Sequence, residues 1–153
     1  MSVCTFLASD NPLPEVAPSQ KYPLHIRMDD GIVTVEDGGA DDNYFLKHFR
    51  DVSCYTDRKH GVHLEWHYTD GRAKQLIAYI KTALQHTDVV ELWHIWLGDY
   101  YDFEDSPVIH RQTISVDKLT TGDIKDIDSA KLWNTPDKRY PNRPSFYCLT
   151  ITP

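Results

Sequence analysis

The chain has 153 residues, of which 41% are hydrophobic and 25% are charged, and its formal net charge is −7. This length and hydrophobic content predict a single globular domain over residues 1–153 and exclude an intrinsically disordered chain. The negative charge argues against nucleic acid and anionic membranes as partners, because both are bound through Lys and Arg side chains.

The N-terminal residues 1–10 have no basic start and only a brief apolar run, so they do not resemble a secretory signal. The three cysteines, Cys4, Cys54 and Cys148, are odd in number and share no metal-ligand spacing. We therefore expect free thiols and a cytoplasmic location, where thiols stay reduced.

The first third of the chain predicts a strand and a hairpin. Residues 2–8 form a strand of small and apolar residues, and the four prolines of residues 11–23 indicate a surface loop. Apolar residues then alternate with polar ones on both sides of Asp29-Asp30-Gly31. Asp-Gly between alternating segments predicts a β-hairpin, because its tight turn needs positive φ angles.

The middle of the chain predicts a strand, a helix and a second strand. Residues 44–49 form a short strand, and residues 62–68 alternate as a half-buried one. Asp70 opens a helix with an apolar stripe, and Thr69 or Asp70 can cap it. Residues 89–97 are apolar on both faces, which is typical of a central, covered strand.

The last third predicts a strand, a helix and a closing strand. Residues 108–116 are of mixed polarity, which suits a strand nearer the sheet edge. Thr120 and Asp123 form a capping box that starts the second helix. A basic, proline-containing loop over residues 134–144 precedes the final strand at residues 146–151.

The order after the hairpin is therefore strand, helix, strand, strand, helix, strand, which matches the ferredoxin-like split βαβ arrangement. The short link between residues 97 and 108 favours antiparallel pairing of the strands on either side of it. We predict an α+β fold with a mostly antiparallel sheet and two helices on one face. The N-terminal strand and the hairpin are expected as additions to this core.

A row of polar residues on the strand at residues 62–68 is a candidate metal site. His63, Glu65 and His67 share one strand face, because positions two apart point the same way. Two imidazoles and a carboxylate suit zinc, and a zinc-bound water would support hydrolysis. The competing interpretation is the solvated face of an amphipathic strand, with no cofactor at all.

Two further candidates lie near the covered strand at residues 89–97. His94 sits among apolar residues, which favours a buried structural role over a catalytic one. Trp93, Trp96 and Tyr79 would line a pocket between helix and sheet if the protein senses a small molecule.

The loop after the covered strand is the strongest binding candidate. It contains four carboxylates and three aromatic rings and no basic residue: Asp99, Tyr100, Tyr101, Asp102, Phe103, Glu104 and Asp105. Tyrosine supplies a large contact area at low entropy cost, and carboxylates suit a basic protein partner. The basic residues cluster late in the chain, at Lys131, Lys138, Arg139 and Arg143.

Four segments are distinctive when taken together: residues 2–6 (SVCTF), 71–75 (GRAKQ), 91–97 (ELWHIWL) and 143–151 (RPSFYCLTI). They resemble a family of small, single-domain, uncharacterised proteins from Gram-positive bacteria. The resemblance implies a cytosolic bacterial protein, and it carries over no activity, cofactor or catalytic residue.

These observations favour a non-enzymatic, cytosolic binding protein whose acidic and aromatic loop docks a basic protein, as an immunity or antitoxin-like protein would. The first alternative is a metal-dependent hydrolase that uses the face formed by His63, Glu65 and His67. The second alternative is a small-molecule sensor domain. Nothing in the sequence predicts the oligomeric state.

Overall fold

The computed structural model describes residues 2–19, 25–36, 39–130 and 143–153. Its strands are β1 (Ser2–Ser9), β2 (His25–Asp29), β3 (Ile32–Glu36), β4 (Phe45–His48), β5 (His60–Glu65), β6 (Val90–Leu97), β7 (Ile109–Ser115) and β8 (Phe146–Thr152). Its helices are α1 (Asp70–Ala83), α2 (Asp99–Asp102) and α3 (Thr121–Ser129), and short 3-10 turns lie at Arg50–Cys54 and Val116–Lys118.

Six strands form one sheet in the order β4-β5-β1-β6-β8-β7, and β2 and β3 form a separate two-stranded sheet. Every pair in the larger sheet is antiparallel except β7 with β8. The described elements thus confirm the predicted α+β class and the mostly antiparallel sheet.

The ferredoxin-like arrangement is not confirmed, because β1 lies inside the sheet. Both β5 and β6 pair antiparallel with β1, so the two run parallel to each other with β1 between them. The predicted pairing of β6 with β7 is wrong, because β8 separates these strands. The parallel β7–β8 pair needs a crossover connection, and α3 lies in it.

The sheet separates two hydrophobic clusters. On one face, α1 and α3 pack over apolar side chains of the strands, and the members of this cluster include Leu7, Val62, Leu64, Ala73, Leu76, Ile80, Leu92, Ile124, Ile127 and Leu149. The 3-10 turn Arg50–Cys54 contributes Val52 to the cluster on the opposite face, which also contains Phe6, Phe49, Trp93, Phe146 and Cys148. Because both of its faces are covered, β6 is buried over most of its length, as predicted.

The sequence signals at the element ends act as predicted. Thr69 accepts a hydrogen bond from the Arg72 amide at the start of α1. Thr120 and Asp123 form a reciprocal capping box at α3. Asp30 and Gly31 have φ angles of 49° and 79°, which supply the positive φ that the hairpin turn requires.

A buried carboxylate ties the segment after the 3-10 turn to the middle of the sheet. Glu91 on β6 accepts hydrogen bonds from Trp93 Nε1 at 2.8 Å and from Thr56 Oγ1 at 2.7 Å. Its second oxygen accepts from Arg58 Nε at 3.1 Å, and Arg58 also contacts Asp10 at 2.8 Å. These bonds satisfy a charge that would otherwise be costly to bury.

His94 lies on the helix-covered side of β6 and is 4% exposed. Tyr147 on β8 lies beside it at 5.9 Å between ring centroids, and His110 on β7 stacks on Tyr147 at 5.2 Å between ring centroids. Burial lowers the pKa of His94, and the negative charge of Asp128 opposes this shift in part. Among the described residues, His94 Nδ1 has no hydrogen-bond partner. The neutral imidazole is therefore the form that the folded state accommodates.

The pH dependence of stability should reflect His94. In the unfolded chain a histidine gains its proton near pH 6.5, whereas the lowered pKa keeps His94 neutral in the folded state. The unfolded state then binds more protons, so the free energy of unfolding should fall as the pH drops below about 6.5. His94→Phe should flatten this fall in urea unfolding curves measured across the acidic range.

A matched control is His86→Phe, because His86 is exposed after the end of α1. The control should keep the wild-type pH dependence. If His94→Phe and His86→Phe change it equally, burial of His94 is not its cause.

Candidate partner-binding site

The acidic and aromatic loop begins directly at the end of β6. Gly98 has a φ angle of 86°, a conformation that favours glycine, and it turns the chain out of the sheet. The short helix α2 follows, and the Phe103 amide closes it by donating to the Asp99 carbonyl at 3.2 Å. The central strand thus sets the position at which the loop leaves the sheet.

A buried arginine clamps the two ends of this loop. Arg143, which precedes β8, binds Asp99 side-on, with Nε to Oδ1 at 2.9 Å and Nη2 to Oδ2 at 2.7 Å. Its Nη1 donates to Asp105 Oδ1 at 3.0 Å, and its Nη2 also donates to the Asp105 carbonyl at 2.8 Å. The guanidinium carbon lies 4.1 Å from the Phe103 ring centroid. We name this group, Asp99, Phe103, Asp105 and Arg143, the arginine clamp.

The clamp is buried at its centre. The side chains of Arg143 and Asp99 are 0% and 2% exposed, whereas Asp105 is 40% exposed. A bidentate, charge-assisted pair of this kind is directional as well as strong. The hydrogen bond to Asp99 is the largest of the interactions that raise the pKa of Arg143, so the arginine stays charged.

The middle of the loop remains at the surface. Tyr100 and Tyr101 are 52% and 79% exposed, and Asp102 and Glu104 are exposed as well. The two tyrosine rings lie 4.2 Å apart between centroids. We name these four residues the tyrosine–carboxylate face.

A concavity of about 500 Å³ opens beside this face. It is lined by the loop itself, by Cys54 and Tyr55 of the neighbouring turn, and by Phe146 of β8. A hydrogen bond with Tyr101 and partial burial, with smaller contributions that include the charge of Asp51, raise the pKa of Tyr100 to about 12. Tyr100 is therefore a neutral hydroxyl at physiological pH, and the site presents neutral rings among carboxylates.

The predicted docking loop requires one correction. Asp99 and Asp105 were expected to meet a partner, but both are paired with Arg143, and Asp99 is buried. Phe103 is half-buried against the same arginine. Of the seven predicted residues, Tyr100, Tyr101, Asp102 and Glu104 are exposed and lie outside the arginine clamp. The predicted basic residues Lys131, Lys138 and Arg139 lie outside the described residues.

The residues of the predicted metal site are not brought together. His63 Nδ1 lies 3.9 Å from Glu65 Oε1, but β5 ends at Glu65 and His67 follows outside the strand. The His67 carbonyl accepts a hydrogen bond from Arg72 at 2.8 Å, which holds this part of the backbone against α1. Across the described ranges, no group of three or more His, Cys, Asp or Glu side chains is placed to hold a metal ion.

The residues proposed for a small-molecule sensor lie apart. Trp93 is fully buried in the cluster on the face opposite the helices, and Trp96 packs against that same cluster. Tyr79 on α1 instead donates to the Pro14 carbonyl at 2.6 Å and lines a separate cavity of about 260 Å³. The predicted pocket between helix and sheet is therefore not formed by these three residues.

The three cysteines are free thiols, as predicted. Burial raises the pKa of Cys148 to about 12 and that of Cys4 to about 11. Cys54 is exposed and lines the concavity beside the tyrosine–carboxylate face. Because a thiol reacts as its thiolate, Cys54 is the cysteine that alkylating reagents should reach first.

Comparison with known proteins finds no relative: no family model, no curated protein and no solved structure matches the chain. None of the described helices is both long and apolar enough to cross a membrane.

The arginine clamp was missed by the sequence analysis, although one signal for it was present. The acidic loop and the late basic cluster have opposite charges, which is what an intrachain ion pair between them requires. The pairing itself joins residues 44 positions apart, and nothing local in the sequence specifies which of four basic residues is used.

Removing the arginine should strongly destabilise the protein. Arg143→Leu leaves Asp99 buried without its partner, and breaking a buried ion pair in this way costs about 3–5 kcal/mol. Urea unfolding at neutral pH measures this loss. The double variant Asp99→Asn/Arg143→Leu should recover part of it, because no uncompensated charge remains.

The matched control is Arg27→Leu, which removes an arginine that is 61% exposed and lies 3.7 Å from the exposed Asp29. Its effect should stay within about 1 kcal/mol, as for other surface ion pairs. Equal losses for Arg143→Leu and Arg27→Leu would contradict the assignment of the clamp as a buried, stabilising pair.

Proposed function

We propose that the protein is a non-enzymatic binding module that docks a basic polypeptide segment on the tyrosine–carboxylate face. The observation that carries this proposal is a loop whose two ends are held by a buried ion pair while its middle stays exposed. Arg143 fixes both ends of the loop, while Tyr100 and Tyr101 stay largely exposed beside a concavity. Preorganised aromatic side chains bind partners with little loss of entropy.

The charge of the face supports a cationic partner. Asp102 and Glu104 are exposed, and no ion pair joins either to another described residue. The chain as a whole carries a formal net charge of −7, which adds long-range attraction for a cation. The same charge disfavours nucleic acid, whose phosphates it would repel.

The concrete form of the proposal is a cytoplasmic, immunity or antitoxin-like protein that masks a cationic protein. Its support is the negative charge, the small α+β fold and the sequence resemblance to small Gram-positive bacterial proteins. The residues that a metal-dependent hydrolase or a small-molecule sensor would need are not brought together in the described part of the chain.

A synthetic peptide that alternates basic residues with serine tests the proposal directly. Calorimetric titration should show binding to the wild type that weakens with added salt, because exposed charges are screened. The isosteric double variant Asp102→Asn/Glu104→Gln should bind about tenfold less tightly, since two exposed ion pairs contribute about 1.4 kcal/mol together. An acidic peptide of the same length should not bind.

The matched control is Asp88→Asn/Asp117→Asn, which removes the same charge at the opposite end of the sheet. Both carboxylates are exposed near the start of β6 and the end of β7, whereas the face follows the end of β6. The control should bind like the wild type. Equal weakening in both double variants would show that net charge, and not this face, attracts the peptide.

The rate of Cys54 alkylation reports the position of the bound peptide. Bound peptide should slow the reaction of Cys54 with iodoacetamide, because this thiol lines the concavity. If saturating peptide leaves the alkylation rate of Cys54 unchanged, the peptide binds elsewhere and the proposal is contradicted.

A further inference from the structure

The loop already contains one complete binding site for a guanidinium group. Arg143 pairs with two carboxylates, side-on with Asp99 and also with Asp105, and its guanidinium carbon lies 4.1 Å from the Phe103 ring centroid. Arginine is suited to this environment because its planar fork pairs with carboxylates and stacks on aromatic rings. The arginine clamp shows which cation this composition of side chains accommodates.

The tyrosine–carboxylate face repeats the same composition on the outer side of the loop. Aromatic rings are present at Tyr100 and Tyr101, and carboxylates follow at Asp102 and Glu104. In the part of the chain that the structure describes, no Lys or Arg side chain lies over either tyrosine ring. The rings stay 52% and 79% exposed and border the concavity of about 500 Å³.

We infer that the tyrosine–carboxylate face is a second guanidinium site, which takes an arginine side chain of the basic partner. The inference rests on the proposed function and specifies its partner. The arginine lies against the exposed ring of Tyr101 and pairs with the carboxylates of Asp102 and Glu104. A lysine ammonium is a compact, strongly hydrated point charge, so it gains less from a flat aromatic surface.

Three peptides of identical sequence except at their basic positions test this inference. One carries arginine, one lysine, and one citrulline, which keeps the planar group of arginine but lacks its charge. Calorimetric titration of the full chain should show the arginine peptide binding about fivefold more tightly than the lysine peptide. The citrulline peptide should show no binding, because charge pairing is lost.

Substitutions at Tyr101 test the aromatic contribution without altering charge. Tyr101→Phe keeps the ring and should keep the preference for arginine over lysine. Tyr101→Leu keeps the apolar bulk, and it should reduce the affinity for the arginine peptide about two- to fivefold and abolish the preference. Because Tyr101 is 79% exposed, both variants should unfold at the wild-type temperature, which thermal unfolding checks.

The outcomes separate this inference from the function on which it rests. Equal binding of the arginine and lysine peptides, weakened by Asp102→Asn/Glu104→Gln, would overturn the guanidinium site and leave the basic-partner proposal standing. Absence of binding by both basic peptides would overturn both. Self-association of the wild type that Tyr101→Leu abolishes, measured by sedimentation, would make the occupant a second copy and would also overturn the inference.

Discussion

The placement of β1 between β5 and β6 is the constraint on which the rest of the structure depends. β5, α1 and β6 form a crossover whose two strands run parallel, and β1 pairs antiparallel with both of them. β6 is matched to β1 along its whole length, from Ser2 opposite Leu97 to Ser9 opposite Val90. With β1 on one edge and β8 on the other, β6 is an interior strand, and its end fixes where the loop after Leu97 emerges.

Each ionisable group that is buried on an interior strand must gain partners or stay uncharged. Glu91 does so with Trp93, Thr56 and Arg58, and in doing so it holds the segment after the 3-10 turn against the sheet. His94 instead stays neutral in a place where a proton would be costly. Glu91 also shows that a buried, paired charge constrains the chain around it.

The arginine clamp follows the same rule at the start of the exposed loop. The pair formed by Arg143 and Asp99 is buried, so the energetic cost of breaking it keeps the loop in one arrangement. That arrangement turns Tyr100 and Tyr101 outward. A charged pair that is hidden from solvent thus supports the exposed residues to which we assign partner binding. In the proposed binding mode, a buried arginine of the protein holds the loop on which an arginine of the partner would bind.

The amino-acid pattern alone determined the local structure of the chain. Alternation and helical spacing of apolar residues located most of the strands and two helices. Side-chain chemistry located the Thr69 and Thr120 caps and the Asp30-Gly31 turn. All of these signals act within a few residues along the chain. Tertiary structure alone decided which strands are neighbours: β1 entered the middle of the sheet, and β8 separated β6 from β7. It also decided which loop carboxylates belong to the arginine clamp, since Asp99 and Asp105 pair with an arginine far away in the chain. Strand order and ion pairing over such separations depend on the packing of the whole domain. Local sequence patterns do not specify that packing.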